Sequence, residues 1–188
     1  MKLEQHRPRL TLPVSDKDHV QGPPDAPVTL VEYGDYECPY CGRAYPIVKR
    51  VQAELGDQLR FVFRNFPLNT IHEHAGVAAQ AAEAASAQGK FWEMHDLLYE
   101  HQDELADTDL NRYALKLGLE IYRFEADLSG EVYARKVRDD FRGGIRSGVN
   151  GTPTFFINGL RYNGPLEYEP LSNALRDELS AADAKPAE

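Results

Sequence analysis

The chain has 188 residues and a mass of 21.2 kDa, the size of one domain with room for an insertion, and it can bury a core without staples. Its 30 acidic and 21 basic residues leave a net charge of −9, which argues against nucleic acid as a partner because phosphate contacts need basic surface. No apolar run reaches the ~18 residues of a membrane span, and two cysteines in all exclude a disulfide-stapled scaffold and a four-cysteine metal site.

Residues 1–26 are polar and spotted with Pro13, Pro23 and Pro24, an extended lead-in without helical period. The first twenty contain no apolar h-region, so the expectation is no secretory signal and a cytoplasmic location, where thiols are kept reduced. Val28 to Tyr33 is a run of β-formers, apolar on both faces except at Thr29 and Glu32, as in a buried central strand. From Pro39 on, Ala44, Val48, Val51 and Leu55 recur at helical spacing until Gly56. Leu59 to Phe66 alternates as a second strand, and strand, helix and strand make a βαβ unit.

Ile71 to Gly148 carries no strand pattern. His74 to Gln88 is Ala-rich and helical. Phe91, Met94, His95, Leu98 and Tyr99 form one helical stripe, and Leu110, Tyr113, Ala114 and Leu117 another. Val132 to Ile145 reads as helix too. The block reads as a small helical cap with its own core, to which Phe91, Trp92 and Tyr99 belong. Strand character resumes at Thr154 to Ile157, turns at Asn158-Gly159 and returns through Leu160 to Asn163. Leu166 to Ser180 closes as a helix with Leu171, Leu175 and Leu179 on one side. Residues 182–188 are expected to form a flexible tail.

Cys38-Pro39-Tyr40-Cys41 lies where the first strand hands over to the first helix, and a Cys-x-x-Cys beside a βαβ pattern reads as a redox pair. At the helix N-terminus the unpaired N–H groups and the dipole favour a Cys38 thiolate, the species that attacks disulfides. Pro39 suits the first turn because its missing N–H would have had no partner there. Cys41, one turn in, is placed to resolve a mixed disulfide. Pro153 opens a strand, where it serves either a cis bend or an ordinary trans turn. Glu32 puts a charge on a strand read as central, where an unpaired charge costs several kcal/mol, of order 2 or more.

The stretch from Val31 to Cys41 resembles the active-site segment of the DsbA-like thiol–disulfide oxidoreductases of the thioredoxin superfamily, and Val149 to Thr154 resembles their cis-proline loop. The resemblance implies an α/β fold, a thioredoxin fold with a large inserted helical domain. Residues 27–70 and 149–181 would form the thioredoxin-like part and residues 71–148 the insertion. It implies that Thr152-Pro153 is cis, faces the cysteines and pairs with substrate backbone, with Pro39 and Tyr40 also at the substrate. It implies that Glu32 is a buried acid that takes the proton of the resolving Cys41. Pro46 matches the proline that kinks the active-site helix of thioredoxin folds, an architectural role.

The dipeptide Pro39-Tyr40 departs from the Pro-His of strongly oxidising members, and Glu37, if close, would raise the Cys38 pKa by like-charge repulsion. Both point to a reductase-like or mildly oxidising exchanger. Its partners would be disulfide-containing or dithiol proteins, with glutathione or a thioredoxin-type reductant, and it would need no metal or organic cofactor. Two alternatives stand beside it. One is a glutathione-linked transferase or isomerase on the same fold, against which Cys41 counts. The other is a holdase with a redox switch. His72 and His74, two apart, make a poor metal pair and read as cap or surface groups. His95 and His101 read as packing or solvated groups. Arg135 to Arg146 reads as a solvated basic face, with a site for acidic peptides or glutathione as the lesser reading. Tyr33, Tyr36, Tyr40 and Tyr45 crowd the cysteines and could form an apolar apron for unfolded substrate.

Overall fold

The computed structural model describes residues 8–183; residues 1–7 of the expected lead-in and 184–188 of the expected tail lie outside the described residues. A five-stranded sheet has the order β1-β3-β2-β4-β5. Its strands are β1 (His19–Gln21), β2 (Val28–Gly34), β3 (Leu59–Asn65), β4 (Thr154–Ile157) and β5 (Leu160–Arg161). β2 runs parallel to β3 with Val28 opposite Leu59, and antiparallel to β4 with Leu30 opposite Ile157. α1 (Pro39–Leu55) makes the crossover between the two parallel strands. The continuous apolar run of β2 is explained by its central place, with a strand on each side and helices on each face.

One face of the sheet, with Leu30, Phe61, Phe63, Phe155 and Ile157, packs against Val48, Val51 and Leu55 of α1 and against Leu171 and Leu175 of α7 (Tyr168–Asp183). The other face, with Val31, Tyr33, Val62 and Phe156, lies under Leu10 and Val14 of the lead-in and Phe141 of α6 (Ala134–Arg146). At Gly144 of α6 a Cβ would stand 2.6 Å from the Phe66 ring and 3.1 Å from Tyr33. A side chain there would hold the helix off the sheet.

The helical block continues through α2 (Ala75–Ser86), α3 (Phe91–Glu100), α4 (Asp107–Lys116) and α5 (Ile121–Ser129). It does not have a core of its own. Phe91, Met94 and Leu98 of α3 share one apolar cluster with Phe61 and Phe63 of the sheet and Val48 of α1, and Trp92 stands against Phe61 with centroids 5.7 Å apart. α2 is buried on nearly every side, through Ala78, Ala79, Ala81, Ala82, Ala84 and Ala85. Alanine there serves close helix packing as much as helix propensity.

The lead-in is more than an extended approach. β1 pairs antiparallel with β3 at the sheet edge, with Val20 opposite Val62. Asp18 and Arg64 form a buried bidentate ion pair at 2.7 and 3.0 Å. The return strand is shorter than expected, two residues instead of four. The closing helix starts at Tyr168, after Pro165, rather than at Leu166.

Candidate active site

β2 ends at Gly34, and a turn in which the Cys38 N–H donates to the Asp35 carbonyl at 3.2 Å delivers the chain to α1. Cys38 is the N-cap residue, with extended backbone (φ −72°, ψ 121°) and Pro39 in the first turn behind it. Its side chain is not spent on capping, so the sulfur sits before the open N–H groups of the helix. The cysteines are both free thiols and both buried, Cys38 3% exposed and Cys41 not at all.

Their acidities are driven apart. Cys38 is lowered from 9.0 to about 5, first by a hydrogen bond from Cys41, then by Thr152 and by the backbone N–H groups of Cys41 and Tyr40, against the cost of burial. Cys41 is pushed well above 9.0, chiefly by burial, then by its bond to Cys38 and the negative charges of Glu32 and Cys38. Glu32 is raised from 4.5 to about 8 by burial and secondarily by Cys38. It lies between Phe63 and Phe155 on the neighbouring strands, on the α1 side of β2, and its Oε1 has no hydrogen-bond partner. The cost of an unpartnered buried carboxylate keeps it protonated through neutral pH.

The Thr152–Pro153 peptide is cis. The Cys38 Sγ donates to the Thr152 carbonyl at 3.4 Å, so this loop and the helix start face one another. The Thr152 hydroxyl is buried with no other partner, which leaves it free to donate to the Cys38 thiolate. A groove of about 260 Å³ runs from Tyr40 past Pro153 to Tyr162 and Leu166. Tyr40 is 59% exposed, with the Arg43 guanidinium 4.3 Å from its ring centroid.

Several expectations need correction. The tyrosine apron reduces to Tyr40 with half-buried Tyr45. Tyr33 and Tyr36 are buried, Tyr33 on the opposite sheet face and Tyr36 donating to or accepting from His95 Nδ1 at 3.1 Å. Glu37 is taken up by His74, accepting its N–H at 2.6 Å and meeting Nδ1 at 3.2 Å. Along α6, Arg135 is solvated, but Lys136 pairs with Asp140 at 2.7 Å.

Three contributors, Gln102, Tyr162 and Asp35, went unread, and His72 reads in the sequence only as a cap or surface group. Gln102 donates from Nε2 to the carbonyls of Tyr36 and Cys38 at 2.8 and 2.9 Å, from a loop 64 residues away with no motif to announce it. Tyr162 reaches the groove because the Asn158-Gly159 hairpin lays the chain back beside Pro153, a consequence available from the turn signal. Asp35 and His72 meet at 2.8 Å. Among the described residues no three His, Cys, Asp or Glu side chains cluster as a metal site would require, and no helix is long and apolar enough to cross a membrane.

A thioredoxin family profile matches residues 14–177. Among curated proteins, the Na(+)/H(+) antiporter NhaA 3 of Salinispora tropica is 48% identical over 178 residues, 94% of this chain and 27% of its own length. NhaA 1 of Mycobacterium sp. (strain KMS) is 48% identical over 85% of this chain and 26% of its own length. The chain thus spans about a quarter of the curated relatives it matches. Among solved structures, oxidised BdbD from Bacillus subtilis superposes with a TM-score of 0.75 at 26% identity, covering 93% of this chain and 96% of BdbD. A thioredoxin-like oxidoreductase from Silicibacter pomeroyi gives 0.76 at 29% identity, with 91% and 95% covered. Wolbachia pipientis alpha-DsbA1, at 21% identity, shares the fold with a TM-score of 0.80, with 95% and 98% covered.

Proposed function

From the premise that this chain belongs to the thioredoxin family, we propose that it is a DsbA-like thiol–disulfide oxidoreductase, a mildly oxidising exchanger working through Cys38 and Cys41 on disulfide-containing and dithiol proteins, a reading supported by its likeness to BdbD and to the Silicibacter pomeroyi oxidoreductase. The observation that carries the reading is the split between the two thiols, Cys38 at about 5 and Cys41 well above 9.0, with Cys38 against the Thr152 carbonyl. A substrate thiolate attacks Cys38 in the Cys38–Cys41 disulfide, and Cys41 leaves as thiolate and takes up the proton held by Glu32. A second substrate thiolate then attacks the substrate sulfur of the mixed disulfide and expels Cys38 as its stable thiolate. A low leaving-group pKa speeds that last step. In the reverse direction Glu32 receives the Cys41 proton as Cys41 attacks.

Thr152 and Pro153 form the wall along which substrate backbone lies, in the manner of a short added strand, with Pro39 and Tyr40 on the opposite rim. Cys38 at about 5 falls between the ~7 of thioredoxin and the ~3.5 of DsbA. The potential should therefore lie between about −270 and −120 mV. Antiport belongs to the named relatives and forms no part of this proposal. The test is insulin reduction with dithiothreitol, together with the equilibrium potential against glutathione. Turnover and a potential inside that window support exchange. Tight binding of unfolded substrate without turnover would leave a redox-switched holdase instead. In the reverse direction Cys41→Ser should accumulate mixed disulfides, because Cys38 still attacks a substrate disulfide and no second thiol of the chain resolves the product.

A further inference from the structure

The stretch between β3 and α2 is bound to the turn that carries the reactive thiol. The Asp35 carboxylate is fully buried and accepts three hydrogen bonds. Oδ1 takes the Glu37 N–H at 2.8 Å, and Oδ2 takes the Leu68 N–H and His72 Nδ1–H, each at 2.8 Å. The His72 N–H donates to the Leu68 carbonyl at 3.0 Å, which closes the ring of contacts. The Asp35 carbonyl in turn accepts from Cys38 N–H. His72 is thus fixed to the residue three before Cys38. With Nδ1 committed to Asp35, the second ring nitrogen is left open, and the side chain keeps 15% exposure.

We propose that His72, oriented by the positioning residue Asp35, adds a cationic contribution to the hydrogen bonds that stabilise the Cys38 thiolate, from a segment outside the Cys-Pro-Tyr-Cys motif. The inference rests on the reading of Cys38 as the reactive thiol.

The charge of Cys38 acts on His72, while at Cys38 itself the hydrogen bonds from Cys41, Thr152 and the helix-start N–H groups are the larger causes. Against the cost of its own burial, His72 is raised above 6.5 by Asp35, then by the Cys38 and Glu37 charges. Other charges around it are Glu73 and His74 on its own segment. On α6, Arg138 lines a groove with Leu68 to Thr70 of the same loop. Tyr40 points out to solvent and lies against Arg43. A cation that favours the thiolate favours the reduced state, and so makes the disulfide a stronger oxidant.

Reciprocity supplies the test, because whatever His72 does to Cys38, Cys38 must do to His72. The thiolate exists only in the reduced protein. His72, followed by NMR titration in the intact chain, should therefore titrate at higher pH reduced than oxidised; the same midpoint in both states overturns the proposal. His72→Gln should move the Cys38 thiolate absorbance midpoint up from about 5. The thiolate-to-thiol ratio at fixed acid pH should fall about three- to tenfold. A tenfold change is about 30 mV toward a more reducing potential for this two-electron couple. An unmoved Cys38 midpoint in a folded variant also overturns it. If Cys38 of the parent does not titrate near 5, the exchange reading itself is at fault. A Cys38 near 5 with an indifferent His72 sinks this inference alone.

Discussion

Glu32→Gln separates what this buried acid costs the fold from what it does for exchange. In the folded protein Glu32 is raised from 4.5 to about 8 by burial, with Cys38 second. Between those values the folded state holds a proton that the unfolded chain has released, so its contribution to stability falls as pH rises. At 1.36 kcal/mol per pKa unit, the penalty is roughly 1 kcal/mol at pH 5 and roughly 4 kcal/mol at pH 8. Glutamine keeps the shape and the unpartnered polar atom but cannot ionise. Urea unfolding of the reduced parent and variant at pH 5 and pH 8 should therefore show the variant gaining roughly 3 kcal/mol on the parent between the two. Cys38 acts in the opposite sense. Its folded value is depressed from 9.0 to about 5, so it adds stability as pH rises through that range. Both proteins carry it, and only its coupling to Glu32, the lesser cause of the Glu32 shift, stays in the difference. The same variant should slow resolution by Cys41 about a hundredfold while leaving the first attack by Cys38 nearly unchanged, the range expected for loss of a general base. A stability difference that stays constant from pH 5 to pH 8 would refute the assignment of Glu32 as a proton-holding acid, and the relay with it.

Two further outcomes follow from the geometry. At pH 6 Cys38 is mostly thiolate and Cys41 almost wholly thiol. Iodoacetamide should label Cys38 at least about a hundredfold faster, and peptide mapping that finds equal labelling would reverse the roles. Gly144→Ala should destabilise the protein by about 1–3 kcal/mol, because the new Cβ meets the Phe66 ring at 2.6 Å and the helix must lift. An unchanged urea midpoint would mean that α6 is not seated on the sheet as described.

Periodicity carried much of this fold. The run from Val28 and the alternation from Leu59 mark β2 and β3 because both strands bury two faces, and Asn158-Gly159 marks the β4–β5 turn because both residues adopt positive φ there, 48° and 79°. β1 was invisible for the converse reason. Three residues at a sheet edge are too few to show alternation, and their place is fixed by Val20 against Val62 and by the Asp18–Arg64 pair. The shared core was also unreadable from the chain. Helical stripes state that α3 has an apolar face, and only the packing shows that this face meets Phe61 and Phe63 of the sheet.

At the site, the legible part was local chemistry. Cys38, Pro39 and Cys41 announce a helix start with two thiols one turn apart, and a helix start lowers one thiol while burial raises the other. Glu32 stood out because a lone acid in an apolar run has few innocent explanations. The environment of the thiolate was not legible, since it is assembled from distant segments. Glu37 reads as a neighbour of Cys38 in sequence, yet His74 takes it up, 37 residues on. Tyr40 reads as a weakening of the oxidant because it replaces a cation. The loop from Leu68 to His72 docks on Asp35 and brings an imidazole to the same turn. Sequence distance is a poor guide to these surroundings: the carboxylate next to Cys38 is held by a histidine 37 residues on, and another distant histidine is held at the turn that carries Cys38. A His72 that acts as proposed stabilises the thiolate and moves the potential toward the oxidising side, the direction that its titration in the two redox states tests.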